Sequence, residues 1–200
     1  MSSQPKTYLT PAEYLAIERK AEYKSEYIDG VMVGMTGASR EHNLIVFNLA
    51  GLINPQLKGQ PCEGYVNDMR VRTPSTRPYT YPDVVVVRGE PQFEDETFDT
   101  LLNPTVIIEV LSDSTELYDR GKKFGFYRTI DSLAEYLLVA QNESRIEHYA
   151  RQADGRWLLA DYRAPEESVE LASIQCRLTL GEVYDKVAFP DPPADESLED

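Results

Sequence analysis

The sequence predicts a mixed α/β fold in which helices pack on a central sheet. Two continuous apolar runs, at 83–87 and 105–111, are rich in β-branched residues, as is typical of central strands buried on both faces. Around them the signals follow the order helix, hairpin, helix, three strands, helix and further strands. This order indicates a mixed central sheet flanked by helices, with a helix and a β-hairpin at the N-terminus.

The N-terminal part carries two local signals. Thr10-Pro11-Ala12-Glu13 combines an N-cap, a proline at the first helical position and a capping-box glutamate, which predicts a helix to about Lys24. Asp29-Gly30 lies between apolar residues and predicts a β-hairpin over 27–33.

The rest of the chain is assigned from hydrophobic periodicity and turn residues. Ser39 can cap a second helix to about Lys58, because apolar residues recur there at three- and four-residue spacing. The same signals predict an extended segment at 64–73, a third helix at about 115–128, and strands at 136–140, 145–151 and 156–161.

Length and composition predict one globular domain over 10–188 and an acidic, disordered tail over 189–200. No apolar run reaches the roughly 18 to 20 residues of a membrane span, and the N-terminus lacks the apolar core of a signal peptide. The two cysteines, Cys62 and Cys176, form no metal or disulfide motif. We therefore expect a cytoplasmic protein without a membrane partner.

The net charge of −14 argues against a broad basic surface that coats nucleic acid. The acidity is concentrated in 90–99 and 191–200, however, and each segment holds five acids and no Lys or Arg. Basic residues cluster elsewhere, which leaves room for a local anionic ligand. They are Arg70, Arg72, Arg77, Arg120, Lys122, Lys123 and Arg128.

Glu109 is the most informative residue because it interrupts an apolar run. A buried carboxylate needs a cation, a basic partner or a raised pKa. Asp83 opens the other central strand, so two acids on neighbouring strands could hold one Mg²⁺ or Mn²⁺. Each acid also has a structural interpretation: Asp83 as a turn residue and Glu109 as a member of a salt bridge.

The third helix supplies a cation near these acids. Asp119, Lys123 and Tyr127 are spaced four residues apart and form one stripe on a helix that begins just after the strand of Glu109. Lys123 could therefore reach the carboxylates and stabilise charge on a phosphate. The alternative is an ordinary surface pair between Asp119 and Lys123.

Five segments together resemble the Uma2 family, also called DUF820, over about residues 10–185. They are Glu41-His42-Asn43, Tyr81-Pro82-Asp83-Val-Val-Val-Val, Asn103-Pro104-Thr-Val-Ile-Ile-Glu109-Val-Leu-Ser112, Tyr118-Asp119-Arg-Gly-Lys-Lys123-Phe-Gly-Phe-Tyr127 and Ser132-Leu-Ala-Glu-Tyr136. Each is loose alone, but their order and spacing are specific.

The resemblance implies a restriction-endonuclease-like core of the PD-(D/E)XK type. In that core an Asp and a Glu, here Asp83 and Glu109, bind Mg²⁺, and a lysine assists catalysis. The usual lysine position falls at Leu111, so the resemblance places the lysine at Lys123 on the next helix, with Lys122 as the alternative. Glu41 resembles the auxiliary acid that some members of the fold add.

Weaker candidates surround this set. His42, beside Glu41, could accept a proton, and Ser112 could bind a phosphate or cap the following helix. Arg70 and Arg72 project from one strand face and could bind a phosphate backbone or lie in solvent.

The leading hypothesis is a Mg²⁺-dependent endonuclease that hydrolyses DNA. A homodimer is expected by analogy with restriction enzymes, and the many tyrosines, if exposed, suit an interface. Two alternatives stay open. The chain could be a binding or assembly module with little turnover, or a phosphohydrolase that acts on a small nucleotide and so tolerates the negative charge better.

Overall fold

The computed structural model describes residues 8–74, 78–112 and 115–190. Its helices are α1 (Pro11–Glu18), α2 (Arg40–Leu57), α3 (Glu116–Tyr118), α4 (Phe124–Tyr127) and α5 (Leu180–Val183), with a π-helical turn, Asp119–Lys123, between α3 and α4. Its strands are β1 (Ser25–Ile28), β2 (Val31–Gly34), β3 (Cys62–Val66), β4 (Arg70–Arg72), β5 (Tyr79–Thr80), β6 (Val84–Arg88), β7 (Thr100–Leu101), β8 (Val106–Val110), β9 (Glu135–Val139), β10 (Ile146–Arg151), β11 (Trp157–Tyr162), β12 (Ser168–Leu171) and β13 (Cys176–Thr179).

The strands form two larger sheets and one hairpin. A six-stranded sheet has the order β11-β10-β9-β8-β6-β3, and a five-stranded sheet has the order β2-β1-β5-β4-β7. In the larger sheet only β8 and β9 run parallel, while its other neighbours are antiparallel. β12 and β13 pair with each other. The predicted mixed α/β fold is therefore confirmed.

The six-stranded sheet is covered on both faces, which explains its continuous apolar strands. One face packs on α2 and on β12, β13 and α5, where Ile45, Leu49, Val86 and Ile108 share a buried cluster. The other face carries Val85 and Ile107 and packs on Tyr127, Ile130 and Leu133. Residues that alternate along β6 and β8 thus belong to two different cores.

The N-terminal signals are confirmed, although α1 is shorter than predicted. The Thr10–Glu13 capping box is present, and Asp29 and Gly30 both have positive φ, as the tightest hairpin turns require. The prediction that the first helix reaches Lys24 is wrong. The chain turns after Glu18, whose carboxylate accepts a hydrogen bond from the Ser25 amide at 2.8 Å. Residues 19–23 are exposed and have no apolar face to extend the helix.

The segment predicted as one extended stretch over 64–73 is two strands in two sheets. β3 belongs to the larger sheet and β4 to the smaller one. The break falls at Asn67, whose φ of 57° is left-handed and turns the chain. Propensity alone did not reveal this break, because Asn and Asp also occur on exposed strand faces.

Other elements match or extend the predictions. α2 and the predicted strands β6, β8, β9, β10 and β11 are present, whereas β5, β7, β12, β13 and α5 were not predicted. Of the acidic tail, residues 191–200 lie outside the described residues. Within the described part of the chain, no helix is long and apolar enough to cross a membrane.

Candidate active site

Asp83 and Glu109 come together at one end of the six-stranded sheet. Val84 pairs with Ile108 in antiparallel register, so the next position brings Asp83 beside Glu109. The amide of Val110 donates a 2.7 Å hydrogen bond to Oδ2 of Asp83, which ties the start of β6 to the end of β8. The sequence therefore identified two acids that the fold places next to each other.

Glu109 lies inside the protein and has few groups to neutralise its charge. The residue is 3% exposed. Its Oε1 lies 2.9 Å from Nζ of Lys123 and accepts a 2.8 Å hydrogen bond from the Tyr127 hydroxyl. Burial raises the pKa of Glu109 well above its ordinary value; Lys123 opposes this shift, and the charges of Asp119 and Asp83 reinforce it.

Lys123 lies at the end of the π-turn with its side chain only 7% exposed. Its Nζ is 2.9 Å from Glu109, 3.1 Å from Glu26 and 3.5 Å from Asp119. Burial alone would lower the pKa of Lys123, but Glu109, Tyr127, Glu26 and Asp119 outweigh it and raise that pKa. Lys123 is therefore a buried ammonium and not half of a surface pair.

Glu26 is the member of this cluster that sequence analysis missed. It lies on β1 and is 7% exposed, and its Oε1 accepts a 3.3 Å hydrogen bond from the Tyr81 amide. The sequence around Glu26 is typical of an exposed β-hairpin. Glu26 is buried because the smaller sheet packs against the helical segment, where Glu26 contacts Lys123. No local signal distinguishes it from an exposed strand glutamate.

The charges around Lys123 do not balance. Three carboxylates, from Glu26, Glu109 and Asp119, surround one ammonium, and Asp83 lies beside Glu109. Burial also raises the pKa of Asp119, against the effect of Lys123. An excess of negative charge in an apolar surrounding is relieved either by protons or by a further cation.

His42 adds a second contact to Asp83. Ser39 caps α2 by accepting a hydrogen bond from the His42 amide, and this places the imidazole at the sheet end. Its Nε2 lies 3.3 Å from Oδ2 of Asp83. His42 thus contacts Asp83 from α2, which covers one face of the larger sheet, whereas Lys123 lies in the helical segment on the other face.

Three other predicted residues have different surroundings. The carboxylate of Glu41 accepts a 3.0 Å hydrogen bond from Arg40. A hydrogen bond from its own backbone amide, together with this contact, lowers the pKa of Glu41. Lys122 pairs with Asp29 at 2.7 Å on the surface. Ser112 lies just after β8, and its hydroxyl is 3.0 Å from that of Thr115, at the start of the helical segment.

Arg70 and Arg72 are paired with the acidic loop at 90–99. Arg70 is 3% exposed and contacts Asp99, and Nη1 of Arg72 lies 2.9 Å from Glu94. Burial alone would raise the pKa of Asp99, but hydrogen bonds from Arg19 and Arg70 hold it well below its ordinary value. The two arginines predicted to bind phosphate are therefore engaged with carboxylates of the same chain.

The donor set at the sheet end suits a hard divalent cation. Mg²⁺ is commonly held by one or two carboxylates and completes its octahedron with water and substrate phosphate. Asp83 and Glu109 are two such carboxylates on neighbouring strands. Across residues 8–74, 78–112 and 115–190, no group of three or more His, Cys, Asp and Glu side chains converges as a metal site. Two buried polar atoms of nearby residues, His42 Nδ1 and Tyr118 Oη, have no hydrogen-bond partner within these described ranges, as is found where a ligand or ordered water binds.

The protein thus has a mixed α/β fold in which Asp83 and Glu109 lie side by side at one end of the larger sheet. Lys123 contacts Glu109 from the helical segment that follows β8. The structure resembles that of a protein described as "a putative nuclease belonging to DUF820" from Anabaena variabilis ATCC 29413. The TM-score is 0.71 at 19% identity, over 86% of this chain and 96% of that one, which shows a shared fold.

Residues 11–181 match the Uma2 family, described as "Putative restriction endonuclease", and the chain belongs to this family. The resemblance drawn from the sequence motifs is thereby confirmed. Two similar proteins come from Synechocystis sp. (strain ATCC 27184 / PCC 6803 / Kazusa). The uncharacterized protein sll1609 is 42% identical over 82% of this chain and 93% of its own length. The uncharacterized protein slr1290 is 37% identical over 94% and 97%.

Proposed function

We propose that this protein is a divalent-metal-dependent nuclease that hydrolyses phosphodiester bonds of DNA. The observation that carries the proposal is the excess of buried carboxylates over cations where Glu26, Glu109 and Asp119 surround Lys123, with Asp83 beside Glu109. A structural salt bridge would need one acid for the lysine, whereas this cluster has three. Membership of Uma2 supports the same class of chemistry.

Each residue has a role that its surroundings support. Asp83 and Glu109 would hold Mg²⁺ or Mn²⁺. Such an ion lowers the pKa of a bound water and neutralises charge on the phosphate. Lys123 would stabilise charge that develops on the phosphate or orient the attacking water, while Tyr127 and Val110 fix the two carboxylates. The auxiliary role of Glu41 stays a prediction.

The direct test is cleavage of supercoiled plasmid with Mg²⁺ or Mn²⁺ against EDTA. Asp83→Asn, Glu109→Gln and Lys123→Ala should each reduce metal-dependent nicking by about tenfold or more. Glu135→Gln is the matched control, because Glu135 is a buried acid on the neighbouring strand β9 and contacts His148 instead of Lys123. Activities are compared per folded molecule, as judged by circular dichroism.

Equal trace activity in the wild-type protein and all variants would mark that activity as contamination and would contradict the proposal. Nicking that survives EDTA would contradict the role of a metal. Loss in Asp83→Asn and Glu109→Gln, with full activity in Lys123→Ala, would keep the metal pair and remove the lysine.

A small-nucleotide substrate is the second candidate, and the pairing of the arginines favours it. Arg19, Arg70, Arg72, Arg120, Arg145 and Arg163 all form ion pairs with carboxylates of the same chain. Such pairing leaves fewer cations for the many phosphates of a duplex. If this candidate is correct, hydrolysis of a small phosphodiester such as bis(p-nitrophenyl) phosphate should exceed plasmid nicking and should not respond to salt. Steep loss of activity with added salt supports DNA.

We also propose a homodimer, formed through the edge strand β11. Within the described residues β11 has one sheet neighbour, β10, and its Leu158 and Leu159 are 61% and 48% exposed. An exposed apolar edge favours strand pairing with a second copy. The tyrosines do not support an interface as expected: Tyr8 and Tyr23 are exposed, and the other eleven are buried or half-buried.

Sedimentation equilibrium tests this dimer, because Leu158→Lys combined with Leu159→Lys should shift the wild-type dimer to monomer. A monomeric wild-type protein would contradict it. We also propose a cytoplasmic location, because the two cysteines form no disulfide motif in the sequence.

A further inference from the structure

We propose that Glu26 is a positioning residue that holds the ammonium of Lys123 beside Glu109. Its effect on hydrolysis rests on the proposed nuclease function, whereas its effect on the lysine can be measured without activity. The observation behind the inference is the 3.1 Å contact between Nζ of Lys123 and Oε1 of Glu26, in a region where both side chains are less than a tenth exposed.

Glu26 is itself held in place by the backbone that leads to Asp83. β1 pairs with β5 through Tyr27 and Tyr79, so Glu26 reaches the residues that follow β5. There the Tyr81 amide donates a hydrogen bond to Oε1 of Glu26 at 3.3 Å. The carboxylate is thus fixed two residues before Asp83, at the junction of the two sheets.

The lysine needs such a partner because its four-carbon stem is flexible and its ammonium has three donors. Glu109 and Glu26 are the two closer carboxylates, and they come from different sheets. Asp119 is more distant at 3.5 Å and belongs to the same helical segment as the lysine. Glu26 therefore restrains Lys123 from the smaller sheet, whereas Asp119 contacts it only from within its own helical segment.

Glu18 provides a matched control in the same network. It is a glutamate with 6% exposure, and its Oε1 accepts hydrogen bonds from the Ser25 amide and from the Tyr81 hydroxyl at 2.9 Å. Both acids therefore brace Tyr81, but the described contacts of Glu18 do not include Lys123. A purely structural role predicts similar consequences for Glu26→Gln and Glu18→Gln.

The experiment compares the full-length wild-type protein with Glu26→Gln, Glu26→Asp and Glu18→Gln. The first measurement is the rate at which acetic anhydride modifies Lys123, followed by mass spectrometry. We expect Glu26→Gln to accelerate the modification by about fivefold or more, because the ammonium loses one of its two closest partners. Glu18→Gln should stay within about twofold of wild type, with Glu26→Asp between them.

The second measurement separates kcat from KM in plasmid nicking. Glu26→Gln should lower kcat by about tenfold and leave KM within about twofold, and Glu26→Asp should recover part of kcat. The third is the rise in Tm on adding Mg²⁺. This rise should persist in Glu26→Gln, because Glu26 acts on the lysine and not on the ion.

Equal modification rates in Glu26→Gln and Glu18→Gln would overturn the inference. Loss of the Mg²⁺-induced rise in Tm in Glu26→Gln would also overturn it, since Glu26 would then be a ligand. If the wild-type protein hydrolyses nothing, the proposed function fails, and the modification rates still decide the inference. If Glu26→Gln does not fold, Glu26→Asp decides it, because an unchanged rate in that variant would contradict positioning.

Discussion

Glu109 and Glu135 are two buried carboxylates on adjacent parallel strands, yet their surroundings are opposite. Each is 3% exposed. Glu135 lies 2.7 Å from Nε2 of His148 and accepts a 2.8 Å hydrogen bond from the Ser173 amide. Although burial alone would raise the pKa of Glu135, His148 and Ser173 outweigh it and lower that pKa, whereas burial raises the pKa of Glu109.

The difference lies in how the charge of each buried carboxylate is neutralised. Glu135 has its own donors, and its charge is satisfied within the fold. Glu109 shares the ammonium of Lys123 with Glu26 and Asp119. Burial alone therefore does not separate the two acids, whereas the ratio of acids to cations around each of them does.

The largest difference between the two acids should be in the nicking activity of their Gln variants. Glu109→Gln should reduce metal-dependent nicking by about a hundredfold, because it removes a proposed metal ligand and the partner of Lys123. Glu135→Gln should retain the wild-type rate per folded molecule. Nicking assays on both variants at one protein concentration check this, and an equal loss in the two would remove the distinction.

Stability should show the opposite ranking, with Glu135→Gln losing more than Glu109→Gln. Glu135→Gln should lower the free energy of unfolding at pH 7 by about 2 kcal/mol, because His148 loses the charge of its buried partner. Urea denaturation of Glu135→Gln and Glu109→Gln measures this. The comparison would be contradicted if Glu109→Gln were the less stable of the two.

Metal should stabilise only proteins that keep both proposed ligands, Asp83 and Glu109. Mg²⁺ at ten times its Kd should stabilise the wild-type protein and Glu135→Gln by about 1.4 kcal/mol and raise Tm by about 3 to 5 °C. Glu109→Gln and Asp83→Asn should show no such rise. Thermal scans with Mg²⁺ and with EDTA provide the measurement; the same rise in all four proteins would point to binding elsewhere.

The smallest effect is the pH dependence. The lowered pKa of Glu135 contributes stability that is present above its ordinary value of 4.5 and is lost as pH falls through the folded value. The raised pKa of Glu109 does the opposite: its contribution is present below 4.5 and is lost as pH rises through the folded value.

Glu109→Gln should therefore gain stability relative to the wild-type protein as pH rises from 4 to 8. As pH rises from 4 through the acidic part of that range, the free energy of unfolding of Glu135→Gln should fall further below that of the wild-type protein. Urea denaturation at several pH values tests both slopes, and parallel curves for the three proteins would contradict the assigned shifts.

The sequence was sufficient to predict the central part of this arrangement. Glu109 stands out because it interrupts an apolar strand, and Asp83 because it opens the next one. The capping box at Thr10 and the Asp29-Gly30 turn are local signals that need no tertiary information. These features can be predicted from the sequence because each is determined within a single segment of the chain.

Features that depend on packing between segments were not predicted. Glu26 is buried because the smaller sheet meets the helical segment, and Arg70 is buried because the acidic loop folds over it. The charge pattern separated acidic and basic regions along the chain, but it did not show that Asp99 and Arg70 pair. Long-range pairing of this kind leaves no periodicity in the sequence.

The π-turn at Asp119–Lys123 has a consequence for the helical segment as a whole. A turn closed by i→i+5 bonds holds about one residue more than an α-helical turn, so α4 is rotated by roughly a quarter of a turn relative to a regular continuation of α3. Deleting Gly121 should restore a regular helix and change the phase at which Lys123 and Tyr127 meet the sheet. The extra residue of the π-turn thus determines, through the rotation of α4, which side chains of the helical segment face Glu109.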